Sequence, residues 1–183
     1  MQQTKLPVKF TRKNICSQMI DKCYIKLKKI ILTQALACKL PDKIAGFASV
    51  AGSLPVRLKP SCQPETPISM LTINGTNDRD VLYEGDDRTQ RGALVSISDM
   101  VEFWRSHDRC TLSNASPNFS KDKVKTAIYT GCTGNSEVWQ LAVVNGGHFW
   151  PGGSSTDESL NKFNAKLGLN ASETIWDFFQ RHS

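Results

Sequence analysis

The stretch Val143-Val144-Asn145-Gly146-Gly147-His148-Phe149-Trp150-Pro151-Gly152-Gly153 most constrains how this chain folds. Its apolar lead-in reads as a buried strand. The glycine pair lets the backbone turn sharply and approach another group closely. One histidine then precedes an aromatic pair and a Pro-Gly-Gly stop. A histidine on a loop straight after a strand suits a general base in an α/β protein. The same stretch also reads as a structural turn with a hydrogen-bonded histidine, and the residues alone leave both readings open.

Around it, 183 residues are enough for one domain with a core. No run approaches the ~20 apolar residues of a membrane span. The leading residues Met1 to Pro7 show no apolar signal-peptide core. Charge is uneven, since residues 1–46 carry ten of the 23 Lys/Arg but two of the 17 Asp/Glu. Residues 1–13 therefore read as a basic, irregular arm. It has no nucleic-acid motif, so a solvated face is the better reading and a nucleic-acid partner is not expected.

Residues 14–25 have helical apolar spacing, at Ile15, Met19, Ile20, Cys23 and Tyr24. Lys28 to Thr33 reads as a short parallel strand, and Gln34 to Lys39 as a helix. Yet no turn residue separates Thr33 from Gln34, where a strand-to-helix turn needs roughly two to six residues. Either something is missing there, or residues 14–40 form one long helix with Ile20, Tyr24, Leu27, Ile31 and Ala35 as its apolar stripe.

Farther along, residues 44–52 and 68–73 read as strands, with a proline-rich loop from 53 to 67 between them. Residues 79–97 read as loop, and Ser98 is expected to cap a helix from Asp99 to His107. Residues 108–122 read as a polar loop. Strands are expected at 124–130 and 138–144, around Gly131 to Asn135. Residues 154–169 look polar and loosely structured. Asn170, with Glu173 three positions on, opens a helix to His182 that Ile175, Trp176 and Phe179 pack down. This succession suggests an α/β fold.

Six cysteines are present, none in a C-x-x-C pair, so a zinc or redox motif is not expected. Their number suits a disulfide-bonded, secreted ancestry. On one helix Cys16 and Cys23 would lie about 10 Å apart along the axis, too far to bond to each other. Sequons occur at Asn74, Asn114, Asn118 and Asn170. With no signal peptide visible they read as incidental.

Several motifs together resemble the secreted α/β-hydrolase esterases of the polyhydroxybutyrate depolymerase and feruloyl/acetylxylan esterase family. In order they are Leu36-Ala37-Cys38 to Gly46, Val50-Ala51-Gly52, Asn74-Gly75-Thr76-Asn77-Asp78, Val81 with Tyr83-Glu84-Gly85, Phe103-Trp104 and Cys110, Tyr129-Thr130-Gly131-Cys132, and Gly146-Gly147-His148-Phe149-Trp150-Pro151-Gly152. Each is weak alone; their shared order carries the resemblance. It spans about residues 14–183, the second half of a usual family member, with the best-formed part expected at 44–183.

The resemblance implies a partial α/β-hydrolase fold, the C-terminal half of a mainly parallel sheet with flanking helices. It implies His148 as general base and Asp78 as the carboxylate that orients it. Phe149 and Trp150 are candidates to stack on substrate, with core packing as the competing reading for both and for Trp139. It implies bridges between Cys110 and Cys132 and, more loosely, between Cys38 and Cys62. It implies an ester substrate, from a plant polysaccharide or a polyester, an extracellular location, and no metal or organic cofactor.

This chain departs from the family in one decisive respect. The Gly-x-Ser-x-Gly turn that carries the family's nucleophile belongs between Thr33 and Leu36, and it is not there. Ser49 has no glycine two residues away, and Ser136 and Ser154 have glycine on one side only, so none supplies a displaced copy. Both usual oxyanion donors are also missing. Losing the nucleophile alone costs about a millionfold in turnover. The expectation is an esterase by descent with little or no serine-type turnover, or a remnant that binds polysaccharide or polyester. A gene sequence that skips coding residues would give the same pattern.

Overall fold

A computed structural model describes residues 27–87, 92–114 and 123–182. The arm at 1–13, the helix expected at 14–25, and Cys16 and Cys23 lie outside the described residues. Five strands form one sheet: β1 (Gly46–Val50), β2 (Ser69–Gly75), β3 (Leu112–Asn114), β4 (Val124–Thr130) and β5 (Val138–Val143). Among the described residues four α-helices accompany it: α1 (Leu27–Lys39), α2 (Ile97–His107), α3 (Glu158–Ala165) and α4 (Ala171–Arg181).

The spatial order is β1-β2-β5-β4-β3. β1 pairs with β2, and β2 with β5, in parallel. β5 pairs with β4, and β4 with β3, antiparallel. The sheet is therefore mixed, which corrects the mainly parallel expectation and is compatible with an α/β fold. The cause is local: Gly131, Gly134 and Asn135 take positive φ between β4 and β5, so the chain turns straight back instead of crossing over through a helix.

β2 is the central parallel strand and is buried along its whole length. Its alternating side chains feed two cores. Met70, with Ile68 just ahead of the strand, meets Phe47, Ile97, Met100 and Trp104 on one face, where α1 adds Ala37 and Cys38. Leu71 and Ile73 meet Leu141, Ile175 and Phe178 on the other, beneath α4. Burial on both faces is what a near-continuous apolar run in a parallel strand implies.

Several local expectations change. Lys28 to Thr33 belongs to helix α1, which runs unbroken through Thr33 and Gln34; with no turn residue between them, the chain keeps its helical hydrogen bonding. Gln34 is buried, and its Oε1 accepts a 2.8 Å bond from Trp104 Nε1, tying α1 to α2. The cap of α2 is Ser96, whose Oγ accepts from Asp99 N at 3.0 Å, and Ser98 instead bonds the Ser96 hydroxyl. Within 108–122, residues 112–114 form an edge strand. Within 154–169, Asp157 caps α3 by accepting from Ser159 N and Leu160 N.

Asn170 caps α4 by accepting from Ser172 N and Glu173 N. Ala171, Thr174, Ile175 and Phe178 form the buried stripe of that helix, at helical spacing. Trp176 falls out of phase with it and is 55% exposed, so it does not pack the helix down. Disulfides join Cys38 to Cys62 and Cys110 to Cys132. Among the described residues no helix is long and apolar enough to cross a membrane.

Candidate functional site

The ends of β2 and β5 lie side by side because Gly75 pairs in register with Val143. The loops that leave them must then run in contact. A Cβ built on Gly75 would sit 2.2 Å from Gly146 O and 2.6 Å from Gly147 O, both backbone atoms, so only glycine fits. Three hydrogen bonds lock the loops together. Thr76 N donates to Val143 O at 2.9 Å, Asn77 N to Gly146 O at 2.8 Å, and Asn145 N to Thr76 Oγ1 at 2.9 Å. Asn145 takes the left-handed conformation, at φ 57°, that swings the second loop back over the first.

This lock brings together the two residues singled out as base and orienter. His148 Nδ1 lies 2.9 Å from Asp78 Oδ2, across 70 positions of sequence. The Asp78 side chain is 1% exposed and that of His148 30%. Asp78 Oδ1 accepts from Asp80 N at 2.8 Å and Val81 N at 2.9 Å. Asp78 thus closes an Asx turn with Oδ1 while its Oδ2 faces His148. With its Oδ1 anchored by two backbone donors, the carboxylate presents Oδ2 in a set direction.

Electrostatics follow from the geometry. The hydrogen bond to Asp78 holds the His148 imidazole above its ordinary pKa. Burial opposes that rise, and the negative charges of Asp78 and Asp80 add to it. Because a carboxylate oxygen accepts, Nδ1 carries the proton and Nε2 of the neutral ring carries the lone pair. Among the described residues no group hydrogen-bonds Nε2 and no serine hydroxyl bonds to His148.

Asp78, Asp80 and His148 place three possible ligand atoms within 4.8 Å of one another. Yet Nδ1 and Oδ2 are spent on each other and Oδ1 on two N–H groups, which is the arrangement of a hydrogen-bonded pair. Phe149 meets Phe163 of α3 edge-on at 5.7 Å, and Trp150 Nε1 donates to Ser172 Oγ of α4 at 3.1 Å. Both rings are half-buried in the second core. Trp139 packs edge-on against Phe178. Asn74, at the end of β2, is buried with Nδ2 donating to Gly52 O at 3.0 Å, which removes it as an accessible sequon.

Sequence reasoning missed a second polar cluster, at the opposite pole where the strands begin. Asp108 is fully buried and accepts from Ile68 N, from Ser136 Oγ at 2.5 Å, and from His107 Nδ1 at 2.6 Å. Its carboxyl sits above the ordinary range because burial outweighs those donors. His107 Nε2 lies 2.8 Å from Pro64 O, so both ring nitrogens are engaged. The serine here bonds the aspartate and not the histidine, so this cluster is a clamp on three chain segments.

No protein-family model matches the sequence. The chain is 24% identical over 156 residues to feruloyl esterase B of Piromyces equi, a match that takes in 77% of this chain and 28% of that protein. It therefore spans less than a third of the length of the curated relative it matches, and its similarity to that esterase is distant.

Proposed function

We propose that this chain carries the base and orienter of a carboxylic ester hydrolase, on the C-terminal part of an α/β-hydrolase fold. His148 is the base and Asp78 the residue that fixes its tautomer, while the attacking hydroxyl of a Ser-His-Asp mechanism is absent from this chain. The observation that carries the reading is the 2.9 Å bond between His148 Nδ1 and a buried, doubly anchored Asp78 carboxylate at adjacent parallel strand ends. Such a pair suits proton abstraction: Nδ1 is held, Nε2 has no hydrogen-bond partner among the described residues, and the carboxylate offsets the charge that forms. Strand carboxyl ends are also where α/β sheets place their sites.

The distant similarity to a feruloyl esterase supports an ester substrate. The two disulfides support an extracellular location. The packing of Phe149 and Trp150 against α3 and α4 favours a role in holding the histidine loop over stacking on substrate.

Nuclear magnetic resonance titration of the His148 ring tests the pairing. The expected midpoint lies above the ordinary histidine value of about 6.5 and falls in Asp78→Asn. A midpoint at the ordinary value that Asp78→Asn leaves unmoved refutes it. A serine-directed fluorophosphonate should leave the chain unlabelled.

The missing nucleophile favours a second reading, a remnant that binds polysaccharide or polyester without turnover. Retention on xylan or polyester granules that His148→Ala leaves unchanged supports that reading.

A further inference from the structure

We propose that His148 Nε2 is itself a nucleophile toward aryl esters, giving this chain a slow acyl-transfer activity that needs no serine. The inference rests on the pairing of His148 with Asp78 proposed above, and goes beyond it in assigning the covalent step to the imidazole.

The chain has three histidines. His107 has both ring nitrogens engaged, by Asp108 and by Pro64 O. His182 donates from Nδ1 to Phe178 O at 2.7 Å, its Nε2 lies 3.5 Å from Glu137 Oε2, and its side chain is 8% exposed. His148 alone combines an engaged Nδ1 with an Nε2 that has no partner among the described residues, on a side chain 30% exposed. A histidine so arranged is competent for covalent catalysis.

The Nε2 lone pair adds to the ester carbonyl carbon and a nitrogen–carbon bond forms. Collapse of the adduct breaks the bond to the aryl oxygen, which leaves as a phenolate and needs no proton donor. The acyl-imidazolium keeps its Nδ1 proton, and the Asp78 carboxylate offsets the positive charge. Water then adds to the acyl carbon, the nitrogen–carbon bond breaks, and the carboxylic acid departs. The proton released neutralises the phenolate, and Nε2 regains its lone pair. The net reaction is ester plus water to acid plus phenol.

The leaving group sets the substrate class. An alkoxide leaves well only with a general acid and an oxyanion donor. A phenolate leaves without either. Aryl esters are therefore turned over, and methyl or sugar esters are not.

The test uses the whole chain and p-nitrophenyl trimethylacetate, whose bulky acyl group slows the second step. Acid quenching and peptide mass spectrometry should find the trimethylacetyl group on His148 and not on His107 or His182. Phenol release should show a burst approaching one equivalent per chain. His148→Ala and His148→Gln should each lose burst and adduct. Asp78→Asn should move the midpoint of the pH–rate profile to lower pH, because the neutral ring then appears sooner. Acylation of a serine, or no adduct on His148 in a chain whose His148 titration still responds to Asp78→Asn, overturns this proposal and leaves the pairing standing. A ring that titrates at its ordinary value removes both.

Discussion

Gly75→Ala tests whether the loop contact builds the site. The added methyl carbon would lie 2.2 Å from Gly146 O, 2.5 Å from Gly146 C and 2.6 Å from Gly147 O. All three are backbone atoms, so no side chain can swing aside. Real Cβ contacts do not fall below 3.0 Å, so the loops must part by about 0.8 Å. The Asn77 N to Gly146 O bond, at 2.8 Å, then stretches to about 3.6 Å and is lost. Overpacking costs about 1–3 kcal/mol and the bond about 1 kcal/mol, for a total of roughly 2–4 kcal/mol. For a chain of this size that is a fall of roughly 4–16 °C in melting midpoint. The same displacement separates His148 from Asp78, so the ring should titrate closer to its ordinary value. Gly147→Ala is the control, because a Cβ there meets nothing within 4 Å. Thermal unfolding and ring titration of both variants decide the matter. If Gly75→Ala melts with the parent and its His148 still titrates high, the contact does not place the pair.

Three further outcomes are expected. The His148 pKa is raised on folding, so the stability it contributes is fully present below the unfolded-state value and is lost as pH rises through the folded one. The melting difference between the parent and Asp78→Asn should therefore shrink from mildly acidic to alkaline pH, and a difference that grows would contradict the sign. Trp104→Phe removes the donor to buried Gln34 Oε1 and should cost about 1–3 kcal/mol in chemical denaturation, more than the same change at exposed Trp176. Reducing the Cys38–Cys62 bridge, which closes a loop of 24 positions, should cost about 3 kcal/mol, and a melting curve unmoved by dithiothreitol would rule that out.

What could be read in advance was what acts locally. Asn170 announces its cap because its side chain serves amides two and three residues on. The Thr33–Gln34 junction could be read as continuous helix because an absent turn is itself a local fact. Ser96 and Ser98 are two positions apart and equally able to cap, so the choice fell to the packing of Ile97. Trp176 looked like an anchor by size, but the phase of the helix put Phe178 inward instead. Asp108 gave no signal because its partners Ile68 and Ser136 lie 40 and 28 positions away. The strict need for glycine at position 75 likewise arises only once the histidine loop lies against it.

The clamp at Asp108 divides labour between the two ends of the sheet. By gripping the backbone ahead of β2, the hydroxyl ahead of β5 and the histidine ending α2, it secures strand alignment from below. The upper loops need not hold the register. Their hydrogen bonds and the close contact at Gly75 are left to set His148 against Asp78.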